Sequence, residues 1–161
     1  MNVGGVLDEF DWSLVDSIVG ADKFPHFFHT HSTPQRPYLI TGTQQTQPSY
    51  QALLASCPII CQHNVGKLTL SHWLSPGVTL DVCRIEIGQR QFLDKCHTLK
   101  GSRTSTVDVD GHNAPFFIVL VASGFHYSGE PIGSGGLALI DDIVYHGAQM
   151  CEDKRLPNQF N

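Results

Sequence analysis

Apolar residues fall along this chain in short runs, with Pro, Gly, Asn and Asp standing between them. Segments of strand length with a period of two, bounded by turn residues, predict half-buried β-strands. The pattern places strands at Tyr38–Thr41, Tyr50–Ala55, Lys67–Trp73, Val78–Ile87, Phe92–Thr98, Ser105–Val109, Pro115–Ala122 and Leu137–Tyr145. Between them lie "TPQRP", "SPG", "KGS", "DGHNAP" and "GEPIGSGG", which set turn dihedrals or deny a ladder its donor. "QTQPS" (Gln45–Ser49) reads as a polar loop. Long helical periodicity is missing almost everywhere, so an all-β sandwich or barrel follows.

The phase of the pattern says more. Val107 and Val109 share one face, with Asp108 and Asp110 on the other. In "VTLDVCRIEI" the apolar phase is even at Val78, Leu80 and Val82 and odd at Cys83, Ile85 and Ile87. One extra residue shifts a strand's phase in this way, which predicts a β-bulge near Val82. "FFIVLV" is apolar on both faces, as in a central strand covered by the other sheet and by a loop or partner. "GSGG" before the last strand reads as a flexible turn with positive-φ positions.

Cys83 and Cys96 are symmetric about Gln89 and Arg90. A two-residue hairpin loop there closes on Gly88 and Gln91 as a hydrogen-bonded pair. Alternation outward then makes 83 and 96 a non-hydrogen-bonded pair, the closer kind, within disulfide reach. Cys57, Cys61 and Cys151 bring the total to five, so one is unpaired or paired outside the chain. A lone CxxxC at Cys57 and Cys61 is a weak zinc signal.

Composition narrows the class. The chain has 161 residues, of which 41% are hydrophobic and 16% charged, with net charge −5. That suits one folded domain with a substantial core. No block of Lys and Arg stands out, which argues against nucleic acid. The longest apolar run, Phe116–Ala122, is too short to span a bilayer, so no membrane insertion is expected. "MNVGGVLDEF" lacks the basic start and apolar core of a secretion signal. No N-x-S/T sequon occurs.

Several segments occur in a telling order: "EFDW", "HTHSTPQRPYLITG", "ALLASCP", "LTLSHW", "GVTLDV", "FFIVLVASG" and "GGLALIDDIVYHGAQMC". Together they resemble a MAM domain, the extracellular module of meprins, neuropilins and receptor tyrosine phosphatases. The resemblance runs from Glu9 to Cys151 and is most specific in "GLALIDDI" followed by a cysteine. It implies a jelly-roll sandwich of two antiparallel sheets over residues 1–151, with a polar tail at 152–161. The family's first two cysteines are missing, and Gly66 or Lys67 stands where a further cysteine is usual. The resemblance therefore implies that Cys61 or Cys57 bonds to Cys151, with Cys61 preferred and Cys57 left odd. It also implies an extracellular or cell-surface, non-enzymatic recognition or adhesion module. Its partner would be a protein, including a second copy of itself.

Asp141 and Asp142 interrupt the apolar run of the last strand. Adjacent strand residues diverge, so one of the two is expected to face the core and to need a partner. One reading is an acceptor for loop N–H groups that ties the N-terminal segment to this strand. The other is a structural Ca²⁺ site, joined by Asp8, Glu9 or Asp11; no cofactor is otherwise required. Paired-acid hydrolysis fits poorly, because diverging carboxylates do not flank one bond.

His26, His29 and His31 in "HFFHTH" offer a two- or three-ligand start for a metal, and with it a metal-dependent enzyme as one alternative. The plainer reading is a loop of exposed histidines between Pro25 and Pro34. His72 and His146 read as strand-surface residues, and Trp12 and Trp73 as core. A second alternative is a carbohydrate-binding jelly roll, with Tyr38, Tyr50, Phe125 and Tyr127 as candidates for an aromatic groove. No catalytic Ser-His-Asp set or phosphate loop is legible.

Overall fold

The computed structural model describes residues 10–17, 24–43, 49–87, 95–129 and 133–147. Within them the chain forms β1 (Ser13–Val15), α1 (Phe24–Phe28), β2 (Tyr38–Thr43), β3 (Ala52–Ala55), β4 (Gly66–Leu74) and β5 (Thr79–Glu86). It continues with β6 (Cys96–Lys100), β7 (Arg103–Val109), β8 (Phe116–Ser123), β9 (Tyr127–Gly129) and β10 (Gly133–His146). The short β1 and β9 and the single-turn helix are additions to the sequence reading. Phe24–Phe28 carries Pro25 just inside the helix start, where its fixed φ is favourable. Its apolar residues are too few to leave a visible helical period. "GSGG" is the start of β10 and not a turn, but Gly135 takes the positive φ expected there, +96°.

All strand pairing is antiparallel between the named strands. One sheet runs β1-β2-β10-β4-β7, with β9 also on β10, and the other runs β3-β8-β5-β6. The chain changes sheet from β2 to β3, β3 to β4 and β4 to β5, then again at β6–β7, β7–β8 and between β8 and β10. Interleaving of this kind is the winding of a jelly roll. The protein is an all-β sandwich.

Alternation fills the space between the sheets. Leu68, Leu70, Leu74, Val107, Val109, Ala138 and Ile140 point inward from one sheet, and Leu80, Val82, Ile118, Leu120 and Ala122 from the other. The outward faces are apolar as well. Cys83, Ile85, Val119 and Val121 form a second buried cluster outside the smaller sheet. Phe24, Phe28, Tyr38, Trp73 and Leu139 form a third, outside the larger sheet, where α1 lies.

The second cluster corrects the expected bulge. Strand β5 pairs with β6 and β8 in unbroken register from Thr79 onward. Its apolar phase changes because Leu80 and Val82 face the core while Cys83 and Ile85 face the outer cluster. The register shift lies in β10 instead, between Asp141 and Val144.

Cys83 and Cys96 are directly opposite in the β5–β6 ladder and are disulfide-bonded, with Cα atoms 4.2 Å apart. The short separation belongs to a non-hydrogen-bonded pair, and the next pair inward carries the bond Arg84 N–H to Lys95 O at 3.3 Å. The expected two-residue loop, and Phe92–Asp94 of the expected strand, lie outside the described residues. So do Cys151 and the 152–161 tail.

Candidate functional site

The two acids of β10 sit at its bulge. Before the bulge Ala138 and Ile140 face the core; after it Tyr145 does, opposite Leu68. One extra residue makes that change of phase. Asp142 absorbs it with φ +49°, the left-handed region that Asp tolerates better than most residues. Its side chain is exposed. Asp141 is half-buried and projects onto the outer face of the sheet. Its carboxylate accepts from Gln35 N at 2.7 Å and from Asp142 N at 2.8 Å. Neither acid faces the interior, contrary to the expectation, because the bulge breaks strict alternation.

Gln35 belongs to a strap that crosses the outer face of the larger sheet. Phe24 and Phe28 pack there, with ring centroids 4.6 Å apart. Trp73 Nε1 donates to Ser32 O at 2.7 Å, and the Tyr38 hydroxyl to Ser17 O at 2.7 Å. Trp73 is thus buried, but beneath the strap and not between the sheets. Trp12 is half-buried against the main core. Turning the phenylalanines down sends the strap's polar residues out: His26, His29 and His31 are all exposed. Among the described residues no three His, Cys, Asp or Glu side chains form a metal-holding group. Asp11 is exposed, and Asp8 and Glu9 lie outside the described residues.

One end of the sandwich is closed by polar side chains. Gln62 is fully buried. Its Nε2 donates to Asn64 O at 2.7 Å and Val109 O at 3.2 Å, and its Oε1 accepts from the Tyr145 hydroxyl. Arg84 extends inward from β5 and donates to Asp110 O at 3.1 Å and Gly111 O at 3.0 Å. Its Nη2 also meets Glu86 Oε1 at 3.1 Å, and Glu86 Oε2 lies 3.5 Å from His112 Nε2. These groups bridge the sheets, which accounts for charge so close to the core.

The opposite end carries a cleft of about 510 Å³. Its walls are the Leu74–Thr79 turn, the Lys100–Ser102 turn and the end of α1 at Phe28 and His29. The first turn is tight: a Cβ added to Gly124, at φ +82°, would stand 2.3 Å from Gly77 O. Ser75 is buried and locks that turn to β10, accepting Leu137 N on its Oγ at 2.9 Å. Apolar Leu74, Val78 and Pro76 alternate around the cleft with Ser75, Thr79, Ser102, Lys100 and His29, and among the described residues no carboxylate lines it.

Behind the second turn stands His72. It is fully buried on the inward face of β4, not on the strand surface as expected. Nδ1 lies 3.0 Å from Gly101 O and Nε2 2.9 Å from Ser105 Oγ. Burial is the largest influence on it and lowers its pKa from 6.5; nearby Arg103 adds to this, and the bond to Gly101 O opposes it. Burial raises the pKa of the Tyr145 hydroxyl, against the opposing effect of its bond to Gln62.

A second, smaller cleft of about 280 Å³ opens beside the β10 bulge and is almost wholly apolar, with Leu54, Ile59, Ile118 and Ile143 in its walls. Ile143 is 42% exposed and nearby Ile60 67%. The aromatic groove imagined from the sequence does not form: Tyr38 and Phe125 are buried at 1% and 0% exposure. Tyr50 is 36% exposed and leans on Phe10, with centroids 5.2 Å apart. The Tyr127 side chain lies outside the described residues.

Cys61 is disulfide-bonded and Cys57 is an exposed free thiol. His146 is exposed. Among the described residues no helix is long and apolar enough to cross a membrane. The turn-end cleft is missed by sequence reasoning because its residues come from two distant turns and a helix end; Gly77 and Gly101 are its local signals.

No protein-family model matches the sequence, and no curated protein matches it. Solved structures of similar fold include TmCBM61 in complex with β-1,4-galactotriose, at TM-score 0.48 and 8% identity over 84% of this chain and 88% of that one. Another is the enzymatically active domain of bacteriophage CBA120 tailspike protein 4, at TM-score 0.49 and 12% identity over 86% of this chain and 19% of that one.

Proposed function

We propose that this chain is a non-enzymatic binding module whose turn-end cleft takes a polar, uncharged ligand, carbohydrate foremost. The observation that carries this is the cleft's lining. Apolar Leu74, Pro76 and Val78 suit the C–H face of a sugar ring, while the hydroxyls of Thr79 and Ser102 suit its polar groups. Among the described residues that lining holds no carboxylate and so no paired acids to cleave a glycosidic bond, which supports binding over hydrolysis. The disulfide at Cys83 and Cys96 supports a secreted or cell-surface setting, and the order of the MAM-like segments supports the same class of module.

The test is a titration of isotope-labelled protein with a panel of neutral oligosaccharides, read by amide NMR. Shifts confined to residues 75–79 and 100–102 support the reading. No shift with any neutral sugar, together with shifts elsewhere on adding a protein partner, overturns it.

Recognition of a protein is the second reading. It rests on the exposed Ile143 in the wall of the smaller apolar cleft and on exposed Ile60, next in the chain to its Ile59.

A further inference from the structure

Among the described residues, two that are not glycine take a positive φ: Asp142 at +49° and His29 at +53°. Asp142 is accounted for by the bulge of β10. His29 directly follows the last residue of α1. A left-handed residue is a common way to end a helix, and glycine is the usual choice there. Glycine reaches that conformation freely, whereas a side chain strains the backbone. The fold draws no contact in return. The His29 imidazole is exposed, and no hydrogen bond joins it to another described residue. What distinguishes the position is the turn-end cleft. His29 stands in its wall, while His26 and His31, equally exposed, do not.

We propose that His29 is the specificity-determining residue of this cleft: its neutral ring accepts a hydrogen bond from a sugar hydroxyl, and the backbone strain there is what it costs to hold that ring in the wall. The assignment rests on the cleft reading above and deepens it. A neutral sugar presents hydroxyl protons that need acceptors. Among the described residues no carboxylate lines the cleft to supply them, and Lys100 only donates. The Ser75 hydroxyl already accepts Leu137 N, and that of Thr79 is shared with Ser123 at 3.2 Å. An imidazole nitrogen is a stronger acceptor than a hydroxyl. The unprotonated nitrogen of His29 is therefore the strongest side-chain acceptor in the described wall. A site that accepts from one particular hydroxyl rejects a sugar that lacks it.

The experiment measures stability and binding on the same variants of the full chain. The probes are neutral gluco-, manno- and galacto-oligosaccharides, titrated at pH 7.5 and followed by amide NMR; thermal unfolding is recorded without sugar. His29→Gly relieves the strain and removes the ring. Its Tm should be unchanged or higher, while its affinity for the sugar that wild type binds should fall about tenfold, the worth of one hydrogen bond. His29→Asn keeps a side-chain acceptor in a residue that tolerates positive φ and should recover most of that affinity. His29→Phe keeps a ring without a nitrogen and should not. A clear fall in Tm for His29→Gly would show that the fold itself uses the imidazole and would overturn the assignment. So would full affinity in His29→Phe, which would make the ring and not its nitrogen the contact. Sugar that binds wild type and His29→Gly alike overturns the assignment and leaves the cleft reading standing. If no sugar shifts the cleft amides of wild type, the cleft reading falls and the assignment falls with it.

Discussion

The Asp141 carboxylate accepts the backbone N–H of Gln35 at 2.7 Å, joining residues 106 apart in the chain. That bond and the one from Asp142 N give the acid pair its purpose. Asp141 holds the strap, and Asp142 turns the strand.

The two acids should respond differently to substitution. Asp141→Ala should cost about 1 kcal/mol, since it strands one loop N–H near the surface. Asp142→Gly should be neutral or stabilising by up to about 1 kcal/mol, because its φ of +49° suits glycine. Asp142→Val should cost about 1–2 kcal/mol in backbone strain. Urea unfolding of the three variants checks the order; equal effects for Asp141→Ala and Asp142→Gly would contradict the roles assigned.

Removing the β5–β6 disulfide should be costly. Its sequence separation of 13 corresponds to about 3 kcal/mol of denatured-state restriction. For a domain of this size that amounts to a drop of roughly 6–12 °C in Tm. The Cys83→Ala/Cys96→Ala double variant is the right comparison, because a reductant would also open the bond at Cys61. Calorimetry showing an unchanged Tm would mean the bridge adds nothing.

Acid should weaken the fold through His72. Its pKa is lowered in the folded chain and stands near 6.5 in the unfolded one. Between those values the unfolded chain binds a proton that the folded chain refuses. Stability is therefore full above pH 6.5 and falls as the pH drops through that window. Denaturation curves at pH 7.5, 6.5 and 5.5 should show the decline, and His72→Gln should remove that share of it.

Two glycines separate backbone strain from crowding. Gly101→Ala should cost about 1 kcal/mol, for its φ of +70° alone. Gly124→Ala, where the new methyl would meet Gly77 O, should cost at least about 2 kcal/mol. Similar Tm values for the two would show that the turn yields where the structure has it tight.

Strand order in the chain was legible because alternation is local. Val107 and Val109 share a face whatever else the fold does, and the symmetry of Cys83 and Cys96 about a turn is arithmetic. Apolar residues on β5 could not be divided between two layers from sequence, because burial outside the sheet looks the same as burial inside it. The local pattern therefore suggests a shift near Val82, whereas the real one, at Asp142, shows in the sequence only as a charge in an apolar run. His72 looked like a surface residue for a related reason: its partners Gly101 and Ser105 lie about thirty residues away. Thus the amino-acid order by itself determined the all-β class, most of the strands and the turns between them, since those depend on neighbours within a few positions. Tertiary structure alone decided which face each strand buries, where the strap lies and which turns meet to form a cleft. Those outcomes depend on contacts between segments that no local pattern brings together.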